Sequence, residues 1–339
     1  MSRSLLALLF LSLVCTCDRA PETEAVEEVE PIHRLEGEAM GTYYRVTYIG
    51  EELPGLQQDL DSVFTAYNQE LSAWVPDSKI NAFNASAEGI DLRGTVHWTP
   101  NLEIARRIWR ETDGAYDPTV APLVRFWGFG TAAERETANY DPAALETLLE
   151  RVGMDRLYLD GSFLRKEPGT ELDLNASAKG YGVDLVADWL RAHDRPNHLV
   201  DIGGEFRSGG TKYGRAWRVA IRLPDEDRGK VSSAGTLPLE GNRGIATSGN
   251  YLDYYRVDGK TFSHTINPKT GLTERNRLLS ASVTAPDCAT ADAYATACMV
   301  LGPRGALALV ESKVGLEGYF LVRGEDGELE VVRTSGLEE

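Results

Sequence analysis

The sequence predicts an α+β fold, with mixed or antiparallel sheets and packed helices in one compact unit, a two-lobed arrangement being left open. Two observations carry that expectation. Long segments whose apolar residues recur at helical spacing are interspersed with short alternating segments. Some of the short segments also fold back through tight turn sequences, and such hairpins belong to antiparallel pairing. The chain has 339 residues, enough for a sizeable core, and shows no internal repeat.

Each element has its own local cause. "TYYRVTYIG" (42–50) alternates, with Tyr44, Val46 and Tyr48 on one face, which is the period of a strand. Leu56, Leu60, Val63, Phe64, Tyr67 and Leu71 recur at helical spacing. "TPNLEIARRIWRET" offers Thr99 as an N-cap and Pro100 in the first turn of a second helix. "DGAYDP" stops it at Gly114 and Pro118. "DPAALETLLERVG" is a third helix, started by another Asp-Pro pair. "NASAKGYGVDLVADWLRAH" carries Val183, Val186 and Leu190 at helical spacing. "NHLVDIGGEF", "AWRVAIRLP" and "LLSASVTA" read as strands. Asp258-Gly259 in "YYRVDGKTFSH" suits a two-residue type I′ hairpin, and "YFLVRGEDGELEVVRT" reads as a second hairpin.

The ends of the chain say where it works. Arg3 precedes a ten-residue apolar run, Leu5 to Val14, too short for an ordinary transmembrane helix. The run stops at Cys15 and Cys17, as in a bacterial lipoprotein signal, and Cys17 is the preferred lipidation site. An uncleaved anchor is the alternative. Residues 18–33 are acidic and proline-containing, which suits a spacer. The expected organisation is a signal at 1–17, a linker at 18–33 and a folded domain at 34–335. The protein is then exported and lipid-anchored to a bacterial membrane, facing the periplasm. Cys288 and Cys298 lack the spacing of a zinc site and read as two separately buried thiols. A net charge of −17 excludes nucleic acid as a partner. It also means that an anionic ligand needs a metal ion, backbone N–H groups or a few placed cations.

Four stretches carry the candidate chemistry. His264, one of five histidines, follows the predicted hairpin and precedes the "NPKTG" turn. It is either a base held by the backbone or an inert strand-end histidine. In "ATADAYATACMVLG", Asp292 and Thr296 are i and i+4 on one helical face. They are either hard oxygen ligands of the kind Mg²⁺ takes or an N-cap and a back-bonded threonine. "LDLNASAKGYGVD" (172–184) reads as a strand joined to a helix through small residues, with Lys179 as a cation beside exposed backbone groups. "TDGAYDPTVAPLVRFWGFG" (112–130), rich in Gly, Pro and aromatics, is expected to be irregular. It is either a pocket rim for a flat ring or a packed loop.

Together these motifs resemble the ApbE family, the FAD:protein FMN transferases. The resemblance runs through "AMGTYYRV", "LSAWVPDSKINAFN", "DGAYDPTVAPLVRFWGFG", "LDLNASAKGYGVD", "LVDIGGEFRSGG", "IATSGNYLDYYRVDGKTFSHTINPKTG" and "SVTAPDCATADAYATACMVLG". It covers roughly residues 34 to 325.

The resemblance implies a set of roles. Met40 would contact the flavin end of FAD and Trp74 would line the same pocket. Ala115, Tyr116 and Asp117 would form part of the FAD site, and Lys179 would reach the FAD. Mg²⁺ would sit on Asp292, Thr296 and the carbonyl of Ala176, with Ala178 as the alternative. His264 would be the catalytic base and Ile266 would pack on the cofactor. Thr247 and Ser248 would lie near the reacting phosphates. The activity implied is Mg²⁺-dependent transfer of FMN from FAD to a Ser or Thr of a partner protein through a phosphoester, with release of AMP.

The partner's acceptor signature resembles D-G-x-[ST]-G-A-[ST], a string this chain lacks. The alternatives are a Mg²⁺-dependent FAD pyrophosphatase and an FAD-binding lipoprotein without catalysis. This sequence departs from the family pattern at Asn267, where Asp is frequent, and at Asn175-Ala176, where Gly-Gly or Gly-Ala is frequent. The first matters only if the side chain at 267 does chemistry rather than shaping the turn.

Overall fold

The computed structural model describes residues 29–131, 141–223, 233–250, 254–257 and 260–337, with the backbone alone at 254–257 and 260–262. Cys17, the acidic stretch up to residue 28 and the Asp258-Gly259 turn lie outside the described residues.

β1 (Ile32–Ala39) begins two residues before the expected domain boundary at 34 and pairs with β2 (Thr42–Ile49). Their turn is Met40-Gly41, with φ of 53° and 75°. Positive φ at both central residues is the type I′ geometry, which costs a residue with a Cβ strain that glycine escapes. α1 (Leu56–Leu71) buries Leu56, Leu60, Phe64, Tyr67 and Leu71, as its spacing requires. α2 (Lys79–Ala85) is capped by Ser78, which accepts from the Asn81 N–H. β3 is Gly89–Asp91.

α3 (Trp98–Glu111) starts one residue before the expected cap, Thr99. His97 occupies the cap position and makes no side-chain cap. Instead the Glu70 carboxylate, from α1, accepts the N–H groups of Val96 and His97, each at 2.9 Å. Trp98 is fully buried while Thr99 and Pro100 face solvent, and a carboxylate from a neighbouring helix supplies the acceptor.

The stretch 112–130, expected to be irregular, contains a short helix, α4 (Ala121–Phe126), with Pro122 in its first turn. α5 (Pro142–Leu149) starts at Asp141, which accepts from the Ala143 N–H at 2.9 Å. β4 (Leu157–Asp160) and β5 (Phe163–Lys166) join β3 in a small sheet ordered β3-β5-β4.

The strand expected before residue 175 does not form. The Asn84 side chain holds both backbone groups of Leu172, accepting its N–H at 2.8 Å and donating to its carbonyl at 2.9 Å. A side chain thus takes the place of a neighbouring strand. The small residues that follow are the first turns of α6 (Asn175–Ala192), not a loop.

The remaining strands are β6 (His198–Ile202), β7 (Glu205–Gly209), β8 (Trp217–Arg222), β9 (Ser233–Leu239), β10 (Arg243–Gly249), β11 (Tyr254–Val257), β12 (Lys260–Ser263) and β13 (Leu278–Ala285). α7 (Cys288–Glu311), β14 (Glu317–Arg323) and β15 (Leu329–Arg333) complete the fold.

An eight-stranded sheet runs β1-β2-β6-β7-β10-β13-β14-β15, antiparallel at every pair. α1, α3, α6 and α7 pack over one face around Tyr44, Leu60, Trp98, Val183 and Met299. The β8–β9 ribbon covers the other face through Trp217, Val219 and Ile221, against Ile245 and Leu321.

α7 is long and apolar enough to cross a membrane, yet it is the central core helix, broken at Gly302 (φ 69°) before Pro303. Its N-cap is Asp287, not Asp292. Cys288 and Cys298 are both buried free thiols.

Candidate functional site

The first turns of α6 meet the N-terminal half of α7, and the candidate polar residues collect at that crossing. The Thr296 hydroxyl donates to the Ala176 carbonyl at 3.5 Å and lies 3.3 Å from Ser248 Oγ. One turn back on α7, the fully buried Asp292 carboxylate accepts the Gly180 N–H at 3.0 Å. Asp292 is therefore not an N-cap of its own helix: it faces out of α7 towards α6. Lys179 reaches Glu205 at 3.1 Å.

Two buried carboxylates thus share one ammonium. Burial pushes the pKa of Asp292 up, offset by Lys179 and the Gly180 N–H. Burial also raises Glu205, with Lys179 opposing and Asp292 adding to the shift. For Lys179, burial works against the charge, and the carboxylates of Asp292 and Glu205 outweigh it, so its pKa rises. Glu205 Oε2 is buried and has no hydrogen-bond partner. A buried carboxylate oxygen without a donor is costly, so this pocket is short of positive charge.

The residues fit a divalent cation. Asp292, Thr296 and the Ala176 carbonyl are hard oxygen donors of the type Mg²⁺ takes. Among the described residues no three His, Cys, Asp or Glu side chains cluster as a metal site. A cation here would have one carboxylate and two neutral oxygens from the protein, which suits Mg²⁺ bound through a carboxylate with substrate phosphates completing its shell.

Glu205 was not legible as a site residue. It stands in "DIGGEF", which reads as a generic glycine turn; the signal was a lone carboxylate opening an otherwise buried strand.

Met40 packs against α6. Its sulfur packs over Gly182 of α6, where an added Cβ would come within 2.6 Å of Sδ. A Cβ at Gly203, between β6 and β7, would meet Thr42 and Lys179. The strained Met40 turn, Lys179 and the glycine turn of "DIGGEF" therefore adjoin.

Tyr116 is fully buried, and its hydroxyl lies 2.9 Å from Ser177 Oγ in the first turn of α6. Ala115 beside it is also buried. Asp117 borders a cleft of about 600 Å³ together with Trp109, Gly114, Val152, Pro268 and Lys269. Of the expected site residues this cleft includes Asp117 alone, so it is distinct from the Asp292–Lys179 pocket.

Asp117 accepts the Thr119 N–H at 2.8 Å and the Thr119 hydroxyl at 2.5 Å. Burial nevertheless pushes its pKa up to about 6. A carboxyl raised from 3.8 to about 6 on folding contributes stability below pH 4 that is lost as pH rises through 6. The loss amounts to about 3 kcal/mol. Asp117→Asn is expected to flatten the decline of unfolding free energy across that window. An unchanged slope in the variant would show that folding does not raise the Asp117 pKa.

His264 directly follows β12 and is half-buried. Its neighbours fix the backbone around it. The Ser263 hydroxyl donates to the Glu274 carbonyl at 3.0 Å, and the Thr265 hydroxyl donates to Asn250 Oδ1 at 2.7 Å. Asn250 directly follows β10, so the His264 segment is tied to the strand end that carries Ser248. Asn267 shapes the turn: its Oδ1 accepts the Lys269 N–H at 2.9 Å, and its Nδ2 donates to Glu274 at 2.8 Å. A carboxylate could accept the turn N–H but could not donate to Glu274, so the amide suits this turn.

Besides Asp117, three more expected residues, Thr247, Ile266 and Trp74, stand apart from the crossing. Thr247 and Ser248 point to opposite faces of β10, because strand side chains alternate. Thr247 bonds Ser282 at 2.7 Å on the ribbon side, so only Ser248 joins the polar cluster. Ile266 is buried against Leu123, Trp127, Phe129 and Leu145. It anchors the "NPKTG" turn to α4 and α5 instead of offering a free apolar face, and the same cluster makes the aromatic stretch a packed layer. Trp74 is 63% exposed on a loop that the Asn81 amide holds through the carbonyls of Ala73 and Val75.

The ApbE family model matches residues 40–320. An FAD:protein FMN transferase of Vibrio cholerae is 34% identical, over 98% of this chain and 97% of that protein. One of Haemophilus influenzae is 32% identical, over 89% and 90%. Among solved structures, the flavin transferase ApbE from Vibrio cholerae superposes with a TM-score of 0.79 at 33% identity, covering 91% of this chain and 99% of that one. The apo form of the Pseudomonas stutzeri flavinyl transferase ApbE gives 0.79 at 30% identity, covering 91% and 96%.

Proposed function

The chain belongs to the ApbE family, and from that premise we propose that it is a Mg²⁺-dependent FAD:protein FMN transferase. It moves the FMN part of FAD to a Ser or Thr hydroxyl of a partner protein and releases AMP. The observation that carries the reading is the convergence of Asp292, Thr296, Ser248 and the Ala176 carbonyl at the α6–α7 crossing, with Lys179 beside them.

The chemistry follows from what these groups can do. Bound Mg²⁺ would neutralise the pyrophosphate and stabilise the charge that builds on it during transfer. Asp292, Thr296 and the Ala176 carbonyl would hold the ion. Lys179, kept charged by its carboxylate neighbours, would meet the anionic part of FAD. His264 removes the proton from the acceptor hydroxyl. That oxygen forms a bond to the FMN-side phosphorus as the bond to the AMP oxygen breaks. The acceptor leaves carrying a phosphoester, AMP leaves with the electron pair, and His264 returns its proton to solvent.

The partner reading adds an acceptor segment resembling D-G-x-[ST]-G-A-[ST]. The test is AMP release with FAD and Mg²⁺, in the presence of a peptide of that pattern or the same peptide with its acceptor Ser or Thr changed to Ala. AMP is expected to appear in step with flavinylated peptide and to fall sharply with the Ala peptide. Equal AMP with both peptides means that water is the acceptor, and the protein is a pyrophosphatase.

We also propose that Cys17 becomes the lipidated N-terminus, which would place the domain on a membrane surface beyond the cytoplasm. It is supported by the apolar run that ends at the cysteines and by the acidic stretch after it. Mass spectrometry of the membrane-extracted protein is expected to find an acylated Cys17 as residue one. An unmodified N-terminus beyond Cys17 would refute it.

A further inference from the structure

The carboxylate of Asp184 lies away from the site, and its hydrogen-bond partners are donors on two other elements. On α6, it reaches across to the start of α7. Its Oδ1 accepts the Cys288 N–H at 2.9 Å and its Oδ2 accepts the Ala289 N–H at 2.8 Å. Arg207 of β7 donates to the same Oδ1 at 2.8 Å and lies 3.3 Å from Asp188.

Glycines on both sides let the backbones close up. A Cβ at Gly180 of α6 would lie 2.4 Å from the Cys288 carbonyl oxygen, and one at Gly244 of β10 would lie 2.5 Å from the Cys288 nitrogen. The first residue of α7 is therefore fixed by α6 on one side and β10 on the other. Asp292 follows one turn later and Thr296 a second. Their counterpart, the Ala176 carbonyl, is carried by α6, the helix that carries Asp184.

We propose that Asp184, held by Arg207, is a positioning residue that sets the register of α7 on α6 and so brings Asp292 and Thr296 to the Ala176 carbonyl as a cation site. This rests on the metal reading given above. The local cap of α7, Asp287, does a different job: it accepts the Thr290 N–H at 2.7 Å within its own helix. Losing Asp287 weakens the helix end without freeing α7 from α6. Losing Asp184 frees the crossing, because an amide at that position offers one acceptor oxygen and a competing donor where the carboxylate meets three donors.

Mn²⁺ binding to the FAD-free full chain, followed by electron paramagnetic resonance, separates these roles. Asp184→Asn is expected to weaken Mn²⁺ by about tenfold or more, the range for groups that orient metal ligands. Asp287→Ala, which removes the cap acceptor that asparagine would keep, is expected to lower the melting temperature and leave Mn²⁺ affinity unchanged. Arg207→Lys, a milder change, is expected to weaken Mn²⁺ in the same direction and stands in if Asp184→Asn does not fold. Asp292→Ala is the reference for the site itself.

If Asp292→Ala loses Mn²⁺ binding while Asp184→Asn and Arg207→Lys keep wild-type affinity, the positioning role is overturned and the metal site stands. Equal weakening in Asp184→Asn and Asp287→Ala also overturns it, since general loosening then explains both. If Asp292→Ala keeps wild-type affinity, the metal reading fails, and the positioning role fails with it.

Discussion

Asp292→Ala is expected to abolish Mg²⁺-dependent turnover while leaving the fold close to intact. The side chain is fully buried, and burial raises its pKa, so the native state already carries the cost of keeping a carboxylate there. Removing it relieves that cost and leaves the Gly180 N–H without its acceptor, a penalty of about 1–3 kcal/mol. The two effects oppose each other, and Lys179 retains Glu205 as a partner. Stability should therefore change modestly.

Activity should not recover in the same way. Asp292 is the charged member of the proposed ligand set, and a neutral hydroxyl and carbonyl hold a hard dication weakly by themselves. Removal even of groups behind the ligands typically costs about 10–100-fold in metal affinity, so loss of the carboxylate ligand should exceed that. Titrating Mg²⁺ against turnover, alongside a melting curve, measures both. Normal activity at limiting Mg²⁺ would remove Asp292 from the metal site.

His264→Ala is expected to lower the rate of flavin transfer by about 10²–10⁴-fold, the usual contribution of a general base. FAD affinity should change little. The segment around His264 is held by Ser263, Thr265 and Asn267 through backbone and side-chain hydrogen bonds that the substitution leaves alone. An inert strand-end histidine would behave oppositely, with lost stability and preserved activity per folded molecule. FAD binding, melting temperature and transfer rate on one preparation separate the two. Transfer per folded molecule within about threefold of wild type is too small a change for a general base.

The periodic elements were legible because local chemistry and tertiary packing agree there. Leu60, Phe64, Tyr67 and Leu71 had to share a face, and they do. The departures arose where a distant side chain did what the local sequence was expected to do. Glu70 caps α3 in place of Thr99, and Asn84 substitutes for a strand beside Leu172. Neither partner is near in sequence to the group it serves, so no local pattern announces it.

The site divides in the same way. Asp292 and Thr296 were visible as an i, i+4 pair. Glu205 and Asp184 were not, since each acquires its meaning from a buried cation or a helix end supplied by another element. Thr247 and Ser248 seemed equivalent in the sequence, and only the pleat of β10 distinguishes them. Ile266 had an apolar character that suited a cofactor and a core alike, and the core formed by α4 and α5 holds it.

The most direct test of the transfer reaction is the intact mass of an acceptor peptide incubated with the full chain, FAD and Mg²⁺, followed by fragmentation to locate the added group. The expected result is a peptide heavier by one FMN less one water, with the flavin phosphate on the acceptor Ser or Thr, with product formed about 10²–10⁴-fold more slowly by His264→Ala and none formed by Asp292→Ala. An unmodified peptide beside free FMN and AMP would contradict protein flavinylation and leave hydrolysis as the chemistry of this site.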